Sequence, residues 1–155
     1  MPNTSTATVL RTACQLANYY GLTPHDHPQL TDTHGRLDPI AAVFRAVTGK
    51  TPHCFTNDID QALLLIRTNE TVMDALAWIS AVLPTRSNTD PELTDDNGHQ
   101  PEDHIEHIAS WYATTDFYLQ RCPNLCDVIG TFQRAAQTAE TLPDIPQFRP
   151  EHIPA

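Results

Sequence analysis

The chain of 155 residues has the length of one domain, and an apolar content of 40% suffices for a packed core. The formal net charge is −10, and residues 87–155 hold twelve acidic side chains but only three arginines. Such a field repels phosphate groups, which argues against nucleic acid and against an anionic membrane surface as partners.

The N-terminus and the cysteines indicate the compartment. The first ten residues lack the charged and apolar regions of a signal peptide, and no stretch is apolar over the roughly 18 residues that span a membrane. We therefore expect a cytoplasmic protein. The four cysteines are too few for a disulfide framework. Cys122 and Cys126 supply half of a zinc site at most, and Cys14 falls on an apolar helical face as a small hydrophobe.

Two helices are predicted before residue 50. Apolar residues recur at helical spacing over residues 5–20, and Gly21 suits the position past the helix end. A loop rich in Pro, Asp, Thr and His follows. Asp38 and Pro39 then provide an N-cap and a first-turn residue for a second helix, which ends at Gly49.

Two further helices are predicted in the middle of the chain. Residues 58–67 begin with acidic side chains in the first turn, and their apolar run at 62–66 predicts a helix buried nearly all round. We therefore expect this helix to be central. Residues 70–83 repeat the apolar spacing, and Pro84 stops that helix.

The last third of the chain alternates polar segments with helices. Residues 85–100 are polar and acidic, as in a loop or a linker. Helices are predicted at 101–118, beginning with a proline, and at 124–141, where the apolar stripe is regular. Residues 143–155 carry several prolines and form an extended tail.

The fold class follows from the absence of any period-two pattern of strand length. We predict an all-α protein, an irregular orthogonal bundle of five to six helices. A single helical domain covers residues 1–142, in which the acidic loop 85–100 joins two helical halves. Residues 143–155 are the proline-rich tail.

The segment "TDTHGRLDPIAAVFRAVTGKTP" and its surroundings resemble a family of small, functionally uncharacterised actinobacterial proteins. The pieces that carry the resemblance are Gly21 to Thr23, Asp32 to Arg36, Ile40 to Gly49, Trp111, and Val128 to Ala136. Asp38 and Pro39 stand where that family often has a cysteine. The resemblance implies a small helical bacterial protein and implies no activity.

The stretch "HQPEDHIEHIASWY", residues 99–112, concentrates histidines and carboxylates at the start of a predicted helix. At about 100° per residue, His104 lies beside Trp111 at the edge of the apolar stripe, and His107 points away from it. Asp103 and His107 are four residues apart, close enough for a weak surface pair. On the structural interpretation, this stretch is the solvated face of a helix end.

One functional alternative is a metal site. No cofactor is otherwise expected, but His104 and His107 are a pair of imidazoles that a divalent metal binds. Their spacing of three is less suited to zinc than the spacing of four in H-E-x-x-H, so further ligands are required. His25 and His27, in the first long loop, are the candidates.

The other functional alternative is an acid–base site. His104 would be the catalytic general base, and Trp111 and Tyr112 would bind substrate in a pocket between this helix and the 22–37 loop. Neither a G-x-S-x-G motif nor a P-loop or dinucleotide fingerprint accompanies it. Whether the chain is an enzyme is therefore left open.

The composition favours a small acidic helical accessory or protein-interaction module. Apolar surface on helices 58–67 and 70–83 predicts a protein partner or a homodimer. The alternative is a small enzyme or a ligand- or metal-binding protein whose pocket is built around His104, Trp111 and Tyr112. A third interpretation is an acidic mimic of nucleic acid.

Overall fold

The computed structural model describes residues 4–84, 103–116 and 120–145. Within these ranges the chain forms seven helices: α1 (Thr4–Tyr20), α2 (Pro39–Thr48), α3 (Cys54–Asn57), α4 (Ile59–Arg67), α5 (Glu70–Val82), α6 (His104–Ala113) and α7 (Leu125–Thr141). The described residues contain no strand, only two isolated β-bridges in the α1–α2 connection. The predicted all-α class is confirmed, with seven helices in place of five to six.

Side-chain caps fix the helix boundaries at the predicted places. Asp38 accepts a hydrogen bond from the N–H of Ala41 at 2.8 Å and so satisfies one of the free donors of α2. Asn124 and Asp127 form a reciprocal capping box at the start of α7. Gly49 ends α2 with a φ of +80°, a left-handed conformation that other residues rarely adopt.

The helices pack around α5. α1 lies along α7 and α2, while α5 contacts α7, α6, α2, α1 and α4. The buried side chains, among them Leu10, Ile40, Phe55, Leu76 and Phe132, form one continuous apolar core. No helix in the described ranges is long and apolar enough to cross a membrane.

The prediction that helix 58–67 is central was wrong. α4 buries only Ala62 and Ile66 completely, and Leu64 is 55% exposed. α5 takes the central position because its Trp78 and its aliphatic residues are covered on several sides. A dense apolar run therefore did not distinguish a helix covered on all sides from one lying at the edge of the bundle.

The histidine-bearing helix is shorter than predicted. α6 is capped by Asp103 and ends at Ala113, and the backbone of Thr114 is extended. The predicted start of this helix at residue 101 lies outside the described residues. So do the acidic loop 85–100 and residues 146–155 of the tail.

The α1–α2 connection, residues 21–38, is ordered by hydrogen bonds between its own two ends. The N–H of Leu37 donates to the carbonyl of Gly21, and the N–H of Thr23 donates to the carbonyl of Leu37, each at 3.0 Å. The N–H of Asp38 donates to the carbonyl of Leu30 at 2.9 Å. The connection thus reverses the direction of the chain, and hydrogen bonds hold its two ends together.

α3, which the sequence pattern did not predict, anchors this connection. The carbonyl of Phe55 accepts from the N–H groups of both Leu30 and Thr31 at 3.1 Å. The ring of Phe55 is completely buried and packs on Phe44, with 4.8 Å between ring centroids. The short helix therefore ties the connection to the core.

Asp32 holds the turn at the tip of the connection. One carboxylate oxygen accepts from the N–H groups of His34 and Arg36 at 3.0 Å, and the other accepts from the Arg36 guanidinium at 2.6 Å. Burial opposes ionisation of Asp32, but these hydrogen bonds and the charge of Arg36 hold its carboxyl pKa below the ordinary value.

Replacing Asp32 tests how much this turn contributes to stability. We expect Asp32→Ala to lower the free energy of unfolding by about 2 kcal/mol, because two backbone donors and a guanidinium lose their acceptor. Urea denaturation followed by circular dichroism measures it. Thr33→Ala, at an exposed position of the same turn, is the control. Equal losses in the two variants would contradict this account of the turn.

Candidate functional site

A cavity of about 280 Å³ lies between the α1–α2 connection, α4 and α6. Ile40 of α2, Leu63 of α4 and Ile105 of α6 contribute apolar walls. Small residues face the same space from α6, namely Ala109 and Ala113. The volume lies just below the range for ligand pockets, which begins at about 300 Å³.

Tyr112 joins the connection to α6 at one side of the cavity. Its hydroxyl donates to the carbonyl of Thr23 at 2.5 Å, and both residues line the cavity. The ring of His25 lies against the ring of Tyr112, with 4.6 Å between centroids. Burial, and next the negative charge of Asp38, raise the pKa of Tyr112 to about 12. The phenol therefore stays protonated and keeps its hydrogen bond.

The two cavity histidines are held by backbone carbonyls. His25 Nε2 lies 2.5 Å from the carbonyl oxygen of Pro123, and His27 Nε2 lies 3.0 Å from that of Thr31. A carbonyl only accepts, so each Nε2 carries the proton and donates. Neither Nε2 is therefore available to a ligand or a metal.

Asp38 is the acidic residue that the start of α2 contributes to the cavity wall. It is partly buried between the end of the connection and the start of α2, with Ile40 beside it. Burial raises the pKa of its carboxyl to about 7, although the N–H groups of Ala41 and Ile40 favour the ionised form. A carboxyl that changes charge near neutrality is unusual outside functional sites.

Three more charged residues line the cavity from α4 and the start of α6. Arg67 and Glu106 are exposed, and Asp103 is partly exposed. Asp103 accepts from the N–H of Glu106 at 3.0 Å, and Glu106 accepts from the hydroxyl of Ser110 at 3.0 Å. Together with Asp38, the described residues of the lining include three acidic residues and a single arginine.

The structure brings some of the candidate site residues together and separates others. Tyr112, His25 and His27 line the cavity. Trp111 is 8% exposed and belongs to the apolar core, and His104 is partly buried at the start of α6. Neither of these two residues lines the cavity. Of the three residues assigned to the predicted pocket, only Tyr112 therefore borders it.

The prediction that His107 is solvated was wrong. His107 is 4% exposed, and its Nδ1 lies 2.6 Å from the hydroxyl of Ser80 on α5. The helical projection assumed one neighbour for α6, but α6 packs against both α5 and α2. The face that points away from α2 is therefore covered by α5, and His107 is a core residue with a polar partner.

The histidines do not assemble a metal site in the described part of the chain. No group of three or more His, Cys, Asp or Glu side chains there is placed to hold a metal ion. His107 is directed at Ser80, while His25 and His27 donate through Nε2 to carbonyls. The four cysteines are free thiols, and Cys14 is buried as expected of a small hydrophobe.

Several cavity residues were not recognised from the sequence. Asp38 was interpreted only as a helix cap and Asp103 as the partner of His107 in a weak surface pair, and Arg67 was not singled out. The Asp38-Pro39 pair predicts a helix cap, but it does not predict that Asp38 also lines a cavity beside the 21–38 connection. The histidine- and proline-rich composition of that connection was the one available signal.

Comparisons with protein-family models, with curated proteins and with solved structures gave no match to this chain. The resemblance to an actinobacterial family therefore stays a prediction. The site is interpreted from its own geometry.

The raised pKa of Asp38 predicts how stability depends on pH. Between the unfolded value of 3.8 and the folded value of about 7, the folded protein binds the extra proton. Stability from this group is thus complete below the lower value and is lost as pH rises through the higher one. We expect Asp38→Asn, which keeps the cap, to gain at least roughly 3 °C in melting temperature relative to wild type between about pH 5 and pH 8.

Thermal denaturation across this pH range measures the effect. Asp58→Asn is the control, because Asp58 caps α4 through the N–H of Gln61 at an exposed turn. If the difference in melting temperature between wild type and Asp38→Asn does not change with pH, the pKa of the Asp38 carboxyl is not raised in the folded protein.

Proposed function

We propose that this chain is a small-ligand-binding protein whose ligand occupies the cavity between the α1–α2 connection and α6. The observation that carries the proposal is the cavity itself, which combines apolar walls with Asp38, a carboxyl that titrates near neutrality. Binding pockets are concave, largely apolar and lined by a few placed polar groups. Of the two functions that the sequence favours, this geometry supports the ligand-binding protein best.

The walls of the cavity are fixed before any ligand arrives. The hydroxyl of Tyr112 holds Thr23, the ring of His25 is held by Pro123, and the carbonyl of Phe55 holds Leu30. These contacts reduce the ordering that a ligand must impose on the connection, and such preorganisation favours affinity. A rigid pocket also suits an enzyme, in which Asp38 would act as the general base in place of His104.

Filling the cavity tests the proposal. Ala109 lines it, and Ala109→Leu adds three carbons inside the space. We expect fragments that bind wild type in saturation-transfer NMR to lose about tenfold in affinity in this variant, because the added side chain takes their volume. The fragment set contains neutral, cationic and anionic molecules smaller than the cavity.

Ala81→Leu is the matched control, at a partly buried position of α5 outside the cavity. Binding that is lost in Ala109→Leu and kept in Ala81→Leu supports the proposal. It is contradicted if no fragment binds wild type, or if every fragment that binds is insensitive to Ala109→Leu.

A second candidate function is the acidic interaction module, acting as a homodimer or on a protein partner. The observation in its favour is Leu64 of α4, a large apolar side chain that is 55% exposed beside the cavity residue Leu63. The second helix predicted to contribute to an interface, residues 70–83, is α5, and its apolar side chains are covered by neighbouring helices. The dimer proposal therefore rests on α4 alone.

Sedimentation at increasing protein concentration tests the dimer. We expect a weak self-association that Leu64→Glu reduces by about tenfold, since a charge at a packed interface is costly. Tyr19→Glu, at an exposed aromatic of α1, is the control. A monomer at every concentration, or equal effects of the two substitutions, counts against the dimer.

A further inference from the structure

The hydrogen-bonding groups of the cavity wall are mainly acceptors. Asp38 and Glu106 carry carboxyl oxygens, and the Nε2–H groups of His25 and His27 are already donated to backbone carbonyls. Donors are fewer, since the hydroxyl proton of Tyr112 is donated to Thr23 and the guanidinium of Arg67 belongs to an exposed residue. A ligand that matches this wall carries hydrogen-bond donors.

Gln29 adds an acceptor that no described residue satisfies. Its side chain belongs to the cavity lining, and its Oε1 is buried without a hydrogen-bond partner among the described residues. A buried acceptor without a donor costs roughly 1–3 kcal/mol. Gln29 precedes Leu30, whose carbonyl accepts from the N–H of Asp38, so Gln29 lies in the segment that is hydrogen-bonded to the end of the connection at Asp38.

The charges of the wall favour a cation. Asp38, Asp103 and Glu106 are acidic residues of the lining, and Arg67 is the one arginine or lysine among the described residues that line it. Arg67 is exposed, whereas Asp38 lies further in, beside the buried Ile40. The inner end of the cavity is therefore the place where a positive group has a counter-ion and little water.

The remaining walls are aliphatic. Ile40, Ile59, Leu63 and Ile105 line the cavity from three helices, and Ala109 leaves room between them. An apolar body of a few carbons buries its surface there, at roughly 25 cal/mol per Å² of area removed from water. The ligand that fits both parts of the wall is small and amphipathic.

We infer that the cavity binds a small amphipathic amine, with its ammonium group on the carboxylate of Asp38 and its alkyl part on the aliphatic wall. This inference rests on the proposed ligand-binding function and names the chemical class of the ligand. An ammonium donates up to three hydrogen bonds and matches a wall of acceptors. Binding of the ammonium group lowers the pKa of the Asp38 carboxyl, which then releases its proton to solvent, because an opposite charge favours the ionised form.

Three compounds with the same branched alkyl part distinguish the effect of charge on binding from the effect of shape: isoamylamine, isoamyl alcohol and isovalerate. Proton–nitrogen correlation spectra report binding at the amides of Thr23, Leu30 and Ala109. We expect isoamylamine to bind about tenfold more tightly than isoamyl alcohol, and isovalerate to bind most weakly. We expect Asp38→Asn to lower the affinity for isoamylamine by about tenfold and to change the affinity for isoamyl alcohol by less than about twofold. Asp74→Asn removes a charge from an exposed site on α5 and is the control.

The inference is overturned if the alcohol or isovalerate binds as tightly as the amine, or if Asp38→Asn leaves the amine affinity unchanged. In either case, binding that Ala109→Leu abolishes still supports the ligand-binding function. If none of the three compounds shifts the cavity amides, the amine inference also fails. The fragment screen then decides separately whether the cavity binds any ligand.

Discussion

A chain that leaves a helix and doubles back without joining a sheet must find partners for its buried N–H and C=O groups, and each failure costs about 1–3 kcal/mol. The α1–α2 connection meets this constraint by bonding to itself and to the carbonyl of Phe55. Asp32 satisfies the tip of the turn. Because these bonds fix the connection, its side chains keep defined positions relative to the helices.

The cavity is a consequence of that fixed connection. The backbone from Thr23 to Leu30 cannot move closer to α6 without breaking its bonds to Leu37 and Phe55, and α6 presents Ala109 and Ala113 towards it. Small side chains opposite a rigid segment leave a space that protein interiors otherwise fill. Tyr112, which is large, spans the gap on one side and binds Thr23. The site is thus a region between the connection and α6 that side chains do not fill.

Local signals in the sequence were sufficient for most of the fold. Asp38, Gly49 and Asn124 mark helix ends through hydrogen bonds made within a few residues, so the bounds of α2 and α7 were predictable. The burial of His107 and the exposure of Leu64 depend on which helix lies next to α6 and α4, and no periodicity contains that information. α3 has four residues, too few for a helical pattern. Of the site, the residues of the histidine-rich loop and Tyr112 were predictable, but the role of Asp38 was not.

The position of Asp38 links the stability of the fold to the content of the cavity. A carboxyl whose pKa is raised to about 7 destabilises the folded chain as it ionises, since the unfolded chain holds the same charge in water. A cation bound beside it offsets that cost, because the charge then has a partner where water is scarce. The same group would therefore make the empty protein less stable at neutral pH and the loaded protein more stable. Such a residue is a poor choice for a helix cap alone, where Asn or Ser caps without the charge. The positively charged ligand that we infer for the cavity would account for its presence in the wall.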